Sequence, residues 1–293
     1  MTSSSETPQI IIPYYSVAAF DWDGTLGLSE MRNRDAIETV SKAAGVTIKK
    51  DDWKTLAGKA EETIYEKLIG MYPNHGLEDM FFCYDTDPKV ALKKSANQFA
   101  GACQALYGMK LSMVKPNDPI VEAFNMISDQ GIHVGVVSNS KDWSVHASMD
   151  HTSFPVHKLA VTITKDAVER AKKKTKPAAD PWLMALDKIN EDNKERYGDG
   201  YTPITIDKVL IVGDTHTDAK SAIAAGADMI QLTDDCDPMT EKEVMQEFLK
   251  YHKEGTPRMN YSFCKASEIP ELIRNVFESG KRVEPSYPSL KCA

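Results

Sequence analysis

The chain lacks an apolar run long enough to cross a membrane or to form the core of a secretion signal. Its Ser/Thr-rich first residues lead only to Ile10-Ile11-Ile12, whereas a helical span needs about 20 apolar residues. We therefore expect no association with a membrane and, by default, a cytoplasmic location.

Cysteine is scarce and unpaired in its spacing. The five cysteines are scattered, odd in number and without a Cys-x-x-Cys pair, which argues against a disulfide framework and a paired zinc or redox motif. We expect reduced, mostly structural thiols. They are Cys83, Cys103, Cys236, Cys264 and Cys292.

Positive charge is also in deficit. Lys and Arg number 35 against 43 Asp and Glu, so the formal net charge is −8. This balance argues against a nucleic-acid partner, which would need a basic face. An anionic substrate would have to be met by local cations. With 42% hydrophobic residues, the 293-residue chain suits a core domain with a smaller module.

Short apolar runs recur along the chain and end in small or acidic residues. Val17–Phe20 precedes Asp21, Ile132–Val137 precedes Ser138, and Val209–Val212 precedes Gly213. Such runs are typical of parallel strands that are buried on both faces. Helical patterns lie between them, which predicts an α/β fold with a doubly wound parallel sheet. Further strand candidates are Leu159–Ile163, Met229–Leu232 and Tyr261–Cys264.

Residues 29–115 interrupt the alternation with helical patterns alone. Glycines end the predicted helices Glu30–Ala44, Glu61–Ile69 and Ala91–Tyr107, as glycine ends the core helix Asp118–Gln130. We predict a core domain of residues 1–28 and 116–293 with an all-helical insertion, 29–115. Smaller insertions are expected at 190–201 and 234–257, and a mobile tail from residue 284.

The first candidate site is Asp21-Trp22-Asp23-Gly24-Thr25, directly after a predicted strand. Residues two apart in extended backbone point to the same side, so both carboxylates can face one pocket. A divalent cation would relieve their repulsion. The pattern alone suits a calcium loop equally well, but Arg32 occupies the twelfth position, where such a loop needs Glu.

Two further candidates also follow strands. Asp214 and Asp218, four residues apart at the opening of a helix, can hold one hard cation, although helix capping explains them too. Ser138-Asn139-Ser140 can offer a hydroxyl and amides to a phosphate oxygen, although such triplets are also common in turns.

A fourth candidate is Lys176, which precedes Pro177 and follows the run Lys172-Lys173-Lys174. If Pro177 is the first helical residue, Lys176 stands at the positive end of a helix dipole. The alternative is a solvated lysine-rich face.

Asp21, Ser138 and Asp214 all fall at the carboxyl ends of predicted parallel strands, where open α/β sheets bind ligands. This ordered set resembles the haloacid dehalogenase-like hydrolase superfamily, and the helical insertion resembles its C1-type cap. The resemblance covers the core domain. It rests on Asp21, Asp23, Gly24, Thr25, Ser138, Lys176, Gly213, Asp214 and Asp218, and on the strings Lys176–Trp182 and Gly213–Ala227.

The resemblance implies two-step phosphoryl transfer that depends on Mg²⁺. Asp21 would be the nucleophile and Asp23 the general acid and then base, while Lys176 would stabilise the phosphoryl oxygens. The metal would be held by Asp21, Asp23 and Asp214, with Asp218 in support. Substrate contacts are expected from Thr25, Ser138, Asn139 and Lys59.

Members of the family that cleave carbon–halogen or carbon–phosphorus bonds lack an acid at the position of Asp23. Because this chain has an acid there, the resemblance favours a phosphate ester as the substrate. The stretch Trp53–Glu62, centred on Gly58, resembles the specificity loop of the cap. Mutases of the family carry a histidine after the first motif and an arginine after the loop glycine, whereas this chain has Arg32-Asn33-Arg34 and Lys59-Ala60-Glu61.

We therefore expect a phosphatase of the phosphoglycolate-phosphatase-like type that acts on a small phosphorylated metabolite. A hexose-phosphate mutase is the alternative within enzymes, and a binding or regulatory module with a weak residual site is the alternative from another class. The sequence assigns neither the metabolite nor an oligomeric state.

Overall fold

A six-stranded parallel sheet lies at the centre of the protein. The computed structural model describes residues 13–233, 246 and 259–284, apart from 57–58 and 74. The strands of the sheet are β1 (Val17–Phe20), β4 (His133–Val137), β5 (Leu159–Ile163), β6 (Val209–Gly213), β7 (Asp228–Leu232) and β8 (Tyr261–Cys264). All six strand predictions are confirmed within a residue at either end.

The strand order is β5-β4-β1-β6-β7-β8, with every neighbouring pair parallel. The chain starts at β1, moves outward to β5, and then returns to the other side of β1 to build β6, β7 and β8. This confirms the doubly wound sheet. The reversal places a crevice at the carboxyl ends of β1 and its neighbours, which is the usual ligand position in such folds.

Helices cover both faces of the sheet. On one face Phe124 packs on Phe20, with ring centroids 5.8 Å apart. On the other, Trp182 and Ile211 belong to a second buried cluster. Burial on both faces explains the continuous apolar runs of the strands. The core helices are α6 (Asp118–Asp129), α7 (Asp142–His151), α8 (Lys165–Arg170), α9 (Asp180–Tyr197), α10 (His216–Ala225) and α11 (Ile269–Ser279).

The helical insertion between β1 and β4, here called the cap, has its own apolar core. Tyr65, Phe81 and Phe99 pack against one another within it, edge to face or tilted, with ring centroids 5.5 to 6.1 Å apart. Its helices are α1 (Glu30–Ala43), α2 (Trp53–Leu56), α3 (Glu61–Met71), α4 (Leu77–Met80) and α5 (Pro88–Met109).

Two short strands, β2 (Gly27–Leu28) and β3 (Lys115–Pro116), pair antiparallel where the chain leaves and re-enters the core. The exact boundaries 29 and 115 stay a prediction. Single turns of 3-10 helix occur at Leu111–Met113, Val156–Lys158, Gly198–Gly200, Ile206–Lys208 and Ala266–Glu268.

Two of the predicted helix ends in the cap are wrong. α3 continues through Gly70 to Met71, and α5 continues through Gly108 to Met109. A glycine inside a helix costs only about 1 kcal/mol, which the packing of these helices offsets. α3 instead stops before Pro73, because a residue that precedes proline disfavours helical geometry. By contrast, Gly45 and Gly131 follow α1 and α6 with positive φ, as predicted.

Two further expectations concern the core. Residues 190–197 do not form a separate segment, because they continue α9, which runs from Asp180 to Tyr197; an insertion at 190–201 stays a prediction. Polar residues there form its solvated side, while Asn193 is buried. Pro177 does not begin a helix either, since Pro181 occupies the first turn of α9. The predicted insertion 234–257, apart from residue 246, and the tail beyond residue 284 lie outside the described residues.

The remaining expectations concern thiols and membranes. Cys83, Cys103 and Cys264, the cysteines within the described ranges, are free thiols. In the part of the chain that the structure describes, no helix is both long and apolar enough to cross a membrane.

A buried polar cluster fastens the chain at the edge of the sheet opposite the crevice. Asp228, the fully buried first residue of β7, accepts hydrogen bonds from Tyr15 Oη at 2.6 Å and from Asn260 N at 2.7 Å. Arg282 donates to both of its oxygens, at 2.6 and 2.8 Å. Burial, together with the charge of Asp228, raises the pKa of Tyr15. The cluster thus joins the segments before β1 and after α11.

We expect Asp228→Ala to lower the free energy of unfolding by about 3 kcal/mol, because it leaves Arg282 without its main partner. Tyr15→Phe, which removes one hydrogen bond, should cost only about 1 kcal/mol. Urea unfolding with an unchanged m value checks both. A loss below about 1 kcal/mol for Asp228→Ala would contradict the role of the cluster.

Candidate active site

The ammonium of Lys176 lies at the centre of the crevice. Its Nζ is 2.6 Å from Asp21 Oδ1, 2.6 Å from Asp218 Oδ1 and 3.1 Å from the carbonyl oxygen of Val137. Asp21 follows β1, Val137 ends β4, and Asp218 lies in the first turn of α10. Burial opposes the charge of Lys176, but the two carboxylates outweigh it and raise its pKa. Lys176 is therefore a fixed cation.

The loop that carries Lys176 is held by Asn139. The side-chain amide of Asn139 donates to the Lys176 carbonyl oxygen at 3.0 Å and accepts from the Lys176 N–H at 3.1 Å. The ring of Trp182 lies 5.3 Å from the ammonium. Lys176 thus gains its position from a side chain after β4 and not from a helix dipole. Contact between Asn139 and a substrate stays a prediction.

Three carboxylates surround that single ammonium. Asp21, Asp214 and Asp218 each place an oxygen within 4.8 Å of the others, an arrangement that could hold a metal ion. Thr25 Oγ1 donates to Asp214 Oδ1 at 2.8 Å. Burial, followed by the charge of Asp218, raises the pKa of both Asp21 and Asp214 well above the usual range. The excess negative charge and the oxygen-only donors fit a hard divalent cation.

Asp218 both caps a helix and belongs to the site, the two roles that its spacing from Asp214 allowed. It closes a capping box at the start of α10, where its Oδ2 accepts from Thr215 N at 3.1 Å and from Thr215 Oγ1 at 2.5 Å. Its other oxygen binds Lys176. Asp218 is fully buried, so both of its oxygens serve to fix the site. Direct coordination of a metal by Asp218 stays a prediction.

Asp23 points into the same crevice and is surrounded by hydroxyl groups. Ser29 donates to its Oδ1 at 2.5 Å, while Ser138 and Ser140 donate to its Oδ2 at 3.1 and 2.6 Å. Ser138 Oγ also accepts from Ser140 N at 2.9 Å. The structure therefore brings Ser138 to the carboxylate of Asp23.

These residues match a known family. A family model described as haloacid dehalogenase-like hydrolase matches residues 15–226. The chain belongs to this family. The match includes all of the acidic residues, the serines and the lysine of the crevice.

Solved structures agree on the fold of this hydrolase. A HAD hydrolase of family IA, variant 3, from Entamoeba histolytica has a TM-score of 0.59 at 20% identity and covers 89% of this chain and 100% of its own. A predicted phosphoglycolate phosphatase from Haemophilus somnus scores 0.61 at 16%, with 89% and 98% covered. CbbY from Rhodobacter sphaeroides, in complex with phosphate, scores 0.57 at 14%, with 76% and 90% covered.

A curated relative is similar over a shorter stretch. An uncharacterized protein of Schizosaccharomyces pombe is 29% identical over 138 residues, which is 47% of this chain and 54% of that protein. The hydrolase thus matches about half the length of this relative.

The cap contributes Glu30 to the surroundings of the acidic cluster. Gly24 has a φ of +84°, and a β-carbon there would lie 2.2 Å from both Asp214 Oδ2 and Glu30 Oε1. Only glycine therefore fits between these two carboxylates. The charge of Glu30, after burial and Asp218, further raises the pKa of Asp214. Sequence reasoning did not find Glu30, because an acid in a first helical turn is common.

Arg32 also belongs to this region. The hydrolase buries the side chain, which is 1% exposed, with Nη2 3.8 Å from Asp23 Oδ1. From the sequence, Arg32 excludes a calcium loop and departs from the mutase pattern, and with Arg34 it is the next candidate after Lys59 for a cation that meets the substrate. Its neighbour Arg34 is exposed and pairs with Glu38 within α1. Their different environments follow from the face of α1 that meets the core.

Lys59 lies at the start of the turn that leads into α3. It is partly exposed and has no ion-pair partner among the residues that the structure describes. Gly58, the predicted centre of the specificity loop, lies outside those residues. A contact between Lys59 and a substrate stays a prediction.

The crowded carboxylates predict how pH and metal affect stability. An acid whose pKa is raised in the folded state binds more protons there than in the unfolded state, so stability falls as pH rises through that window. We expect Asp214→Asn to be more stable than wild type in chelator, by an amount that grows as pH rises above the ordinary range of a carboxyl group. Thermal melting of wild type and Asp214→Asn over a series of pH values measures this difference in stability.

Added Mg²⁺ should stabilise wild type by about 1.4 kcal/mol at ten times its Kd and leave Asp214→Asn nearly unchanged. Asp199→Asn, an exposed substitution, is the matched control and should respond as wild type does. Equal stabilisation of Asp214→Asn by Mg²⁺ would contradict the metal site.

Proposed function

We propose that this hydrolase cleaves small phosphate monoesters through a phosphorylated Asp21. The observation that carries the proposal is the joint placement of Asp21, Asp23 and Lys176. The Asp21 carboxylate is fixed by the ammonium of Lys176 at 2.6 Å, and Asp23 faces the same crevice from two residues along. A nucleophile, a proton carrier and a cation thus converge at one strand end.

In the first step an oxygen of Asp21 attacks phosphorus, and the bond from phosphorus to the ester oxygen breaks. Asp23 gives a proton to the departing oxygen, so that an alcohol leaves instead of an alkoxide. Lys176 neutralises charge on the phosphoryl oxygens. Phosphoryl transfer depends mainly on such positioning and charge stabilisation.

In the second step water attacks the phosphorus, and Asp23, now a carboxylate, removes a proton from it. The bond between phosphorus and Asp21 breaks, which releases inorganic phosphate and restores the Asp21 carboxylate. Ser29, Ser138 and Ser140 hold the carboxyl group of Asp23 during both proton transfers, since all three donate to it.

The donor set suits Mg²⁺, which we assign to the carboxylates of Asp21 and Asp214 and the carbonyl oxygen of Asp23, with Asp218 in support. When bound, the ion would supply the positive charge that one lysine cannot provide against three carboxylates. Thr25 fixes Asp214 for this purpose through its hydrogen bond.

A small phosphorylated metabolite is the proposed substrate, with Ser138, Asn139, Thr25 and Lys59 near it. The fold shared with a predicted phosphoglycolate phosphatase and with phosphate-bound CbbY supports a phosphate ligand. The sequence at Arg32–Arg34 and Lys59–Glu61 departs from the mutase pattern. The intact Asp21, Asp23 and Lys176 argue against a binding module that has lost activity. A cytoplasmic location and the absence of nucleic-acid or membrane partners remain predictions.

Asp21→Asn keeps the shape of the nucleophile and removes its charge. We expect kcat with p-nitrophenyl phosphate and Mg²⁺ to fall at least about a thousandfold, about 4 kcal/mol, while melting shows a folded protein. Asp199→Asn is the control. If Asp21→Asn retained more than about a tenth of wild-type kcat, the covalent step would not use Asp21.

Lys59→Ala tests the cap in substrate recognition, once a screen of small phosphate esters has found the best substrate. We expect KM for that substrate to rise at least about tenfold, while kcat/KM for p-nitrophenyl phosphate changes less than about twofold, because only the former loses a binding contact. Lys50→Ala, at an exposed lysine of the same cap, should change neither. Equal effects on both substrates would show a structural role for Lys59 instead.

A further inference from the structure

Arg32 is a buried cation beside the active site that the two-step reaction leaves without a role. It belongs to the cap, on α1, yet its guanidinium binds the core helix α7. Nη1 donates to Ser148 Oγ at 2.9 Å and Nη2 to Ser144 Oγ at 3.4 Å. Nε donates to the neighbouring Asn33 Oδ1 at 3.0 Å. One side chain thus joins the two domains at the edge of the crevice.

Aromatic and acidic side chains of the cap hold the guanidinium of Arg32 in place. The ring of Tyr107, on α5, lies with its centroid 5.0 Å from Arg32 Cζ. Tyr107 Oη in turn donates to Glu61 Oε1, on α3, at 2.7 Å. Helices α1, α3 and α5 therefore all contribute to the position of Arg32. Such a supported, planar group is held far more precisely than a surface arginine.

The arrangement directs Arg32 at Asp23. Nη2 lies 3.8 Å from Asp23 Oδ1, the same oxygen that accepts from Ser29 at 2.5 Å. Ser29 and Arg32 both come from the start of the cap, whereas the donors to Oδ2, Ser138 and Ser140, come from the core. The two oxygens of one carboxyl group are therefore held by different domains.

We propose that Arg32 is a positioning residue that couples the seating of the cap on α7 to the placement of the Asp23 carboxyl group for proton transfer. This inference rests on the proposed function, because it requires Asp23 to protonate the leaving group. When α1 packs against α7, Ser144 and Ser148 fix the guanidinium, and the guanidinium with Ser29 fixes Oδ1. Proton transfer is then available only with the cap in place.

A second link between cap and core offers a control. Lys165, on α8, pairs with Glu62, on α3, at 3.3 Å. This pair also bridges the two domains, but neither residue contacts Asp23. Lys165→Met therefore removes an ion pair between cap and core, while Arg32 keeps its contacts with α7 and the surroundings of Asp23 stay unchanged. Arg34→Met removes a cation two residues along α1 that is exposed to solvent.

The experiment compares kcat/KM for p-nitrophenyl phosphate and phenyl phosphate, two substrates of similar shape. Nitrophenolate leaves readily without a proton, whereas phenolate depends more on the general acid. We expect Arg32→Met to reduce kcat/KM for phenyl phosphate at least about tenfold more than for p-nitrophenyl phosphate. Arg32→Lys, which keeps the charge but not the planar fork, should recover part of that difference.

Lys165→Met and Arg34→Met should change both substrates by the same factor. Asp23→Asn should show the largest selective loss, and adding Arg32→Met to it should increase that selectivity less than about twofold, since the two residues act as one unit. If Arg32→Met fails to fold, the double substitution Ser144→Ala and Ser148→Ala releases the guanidinium and should give the same selective pattern.

Equal losses on the two substrates in a folded Arg32→Met protein, or in the double serine variant, would overturn the inference and leave the proposed function intact. A wild-type protein that hydrolyses neither substrate with Mg²⁺ would instead contradict the proposed function, and this inference with it.

Discussion

The buried ammonium of Lys176 fixes the relative positions of β1, β4 and α10. It binds Asp21 after β1, the last carbonyl of β4 and Asp218 on α10. Placing such a group in the interior is unfavourable unless its partners are in place. Asn139 holds the loop that carries Lys176, and the capping box of Thr215 with Asp218 holds the start of α10. These contacts keep the lysine and its partners in place. The crevice depends on this one group because it joins Asp21 to Asp218 across the ends of the strands.

The same arrangement leaves more negative than positive charge in the crevice. Asp21, Asp214 and Asp218 face one lysine, and the cap adds Glu30 close to Asp214. Burial, followed by the charge of Asp218, raises the pKa of Asp21 and Asp214. A site of this kind trades stability for the ability to attract cations and, with them, an anionic substrate. This local attraction acts against the net charge of −8 of the whole chain.

The parts that sequence reasoning could predict share a local signature. Asp21, Ser138 and Asp214 each follow an apolar run, and parallel strands bring such positions to one edge of the sheet. Asp228 and Arg32 carry no such mark, since the hydroxyl groups that they bind lie far away along the chain. Arg32 meets Asp23 only because α1 folds back onto α7. The helix ends predicted at Gly70 and Gly108 are wrong because they too depend on contacts distant in sequence. Packing of these helices overrides the preference of a single glycine.

The central claim is that Asp21 becomes phosphorylated during turnover. Rapid acid quench of wild type with a labelled phosphate ester and Mg²⁺, followed by peptide mapping, tests it directly. We predict an acid-stable, base-labile phosphoryl group on the peptide that contains Asp21, formed and lost at rates consistent with turnover, and absent from Asp21→Asn. Turnover with no label on that peptide, or with label on another residue, would contradict the account.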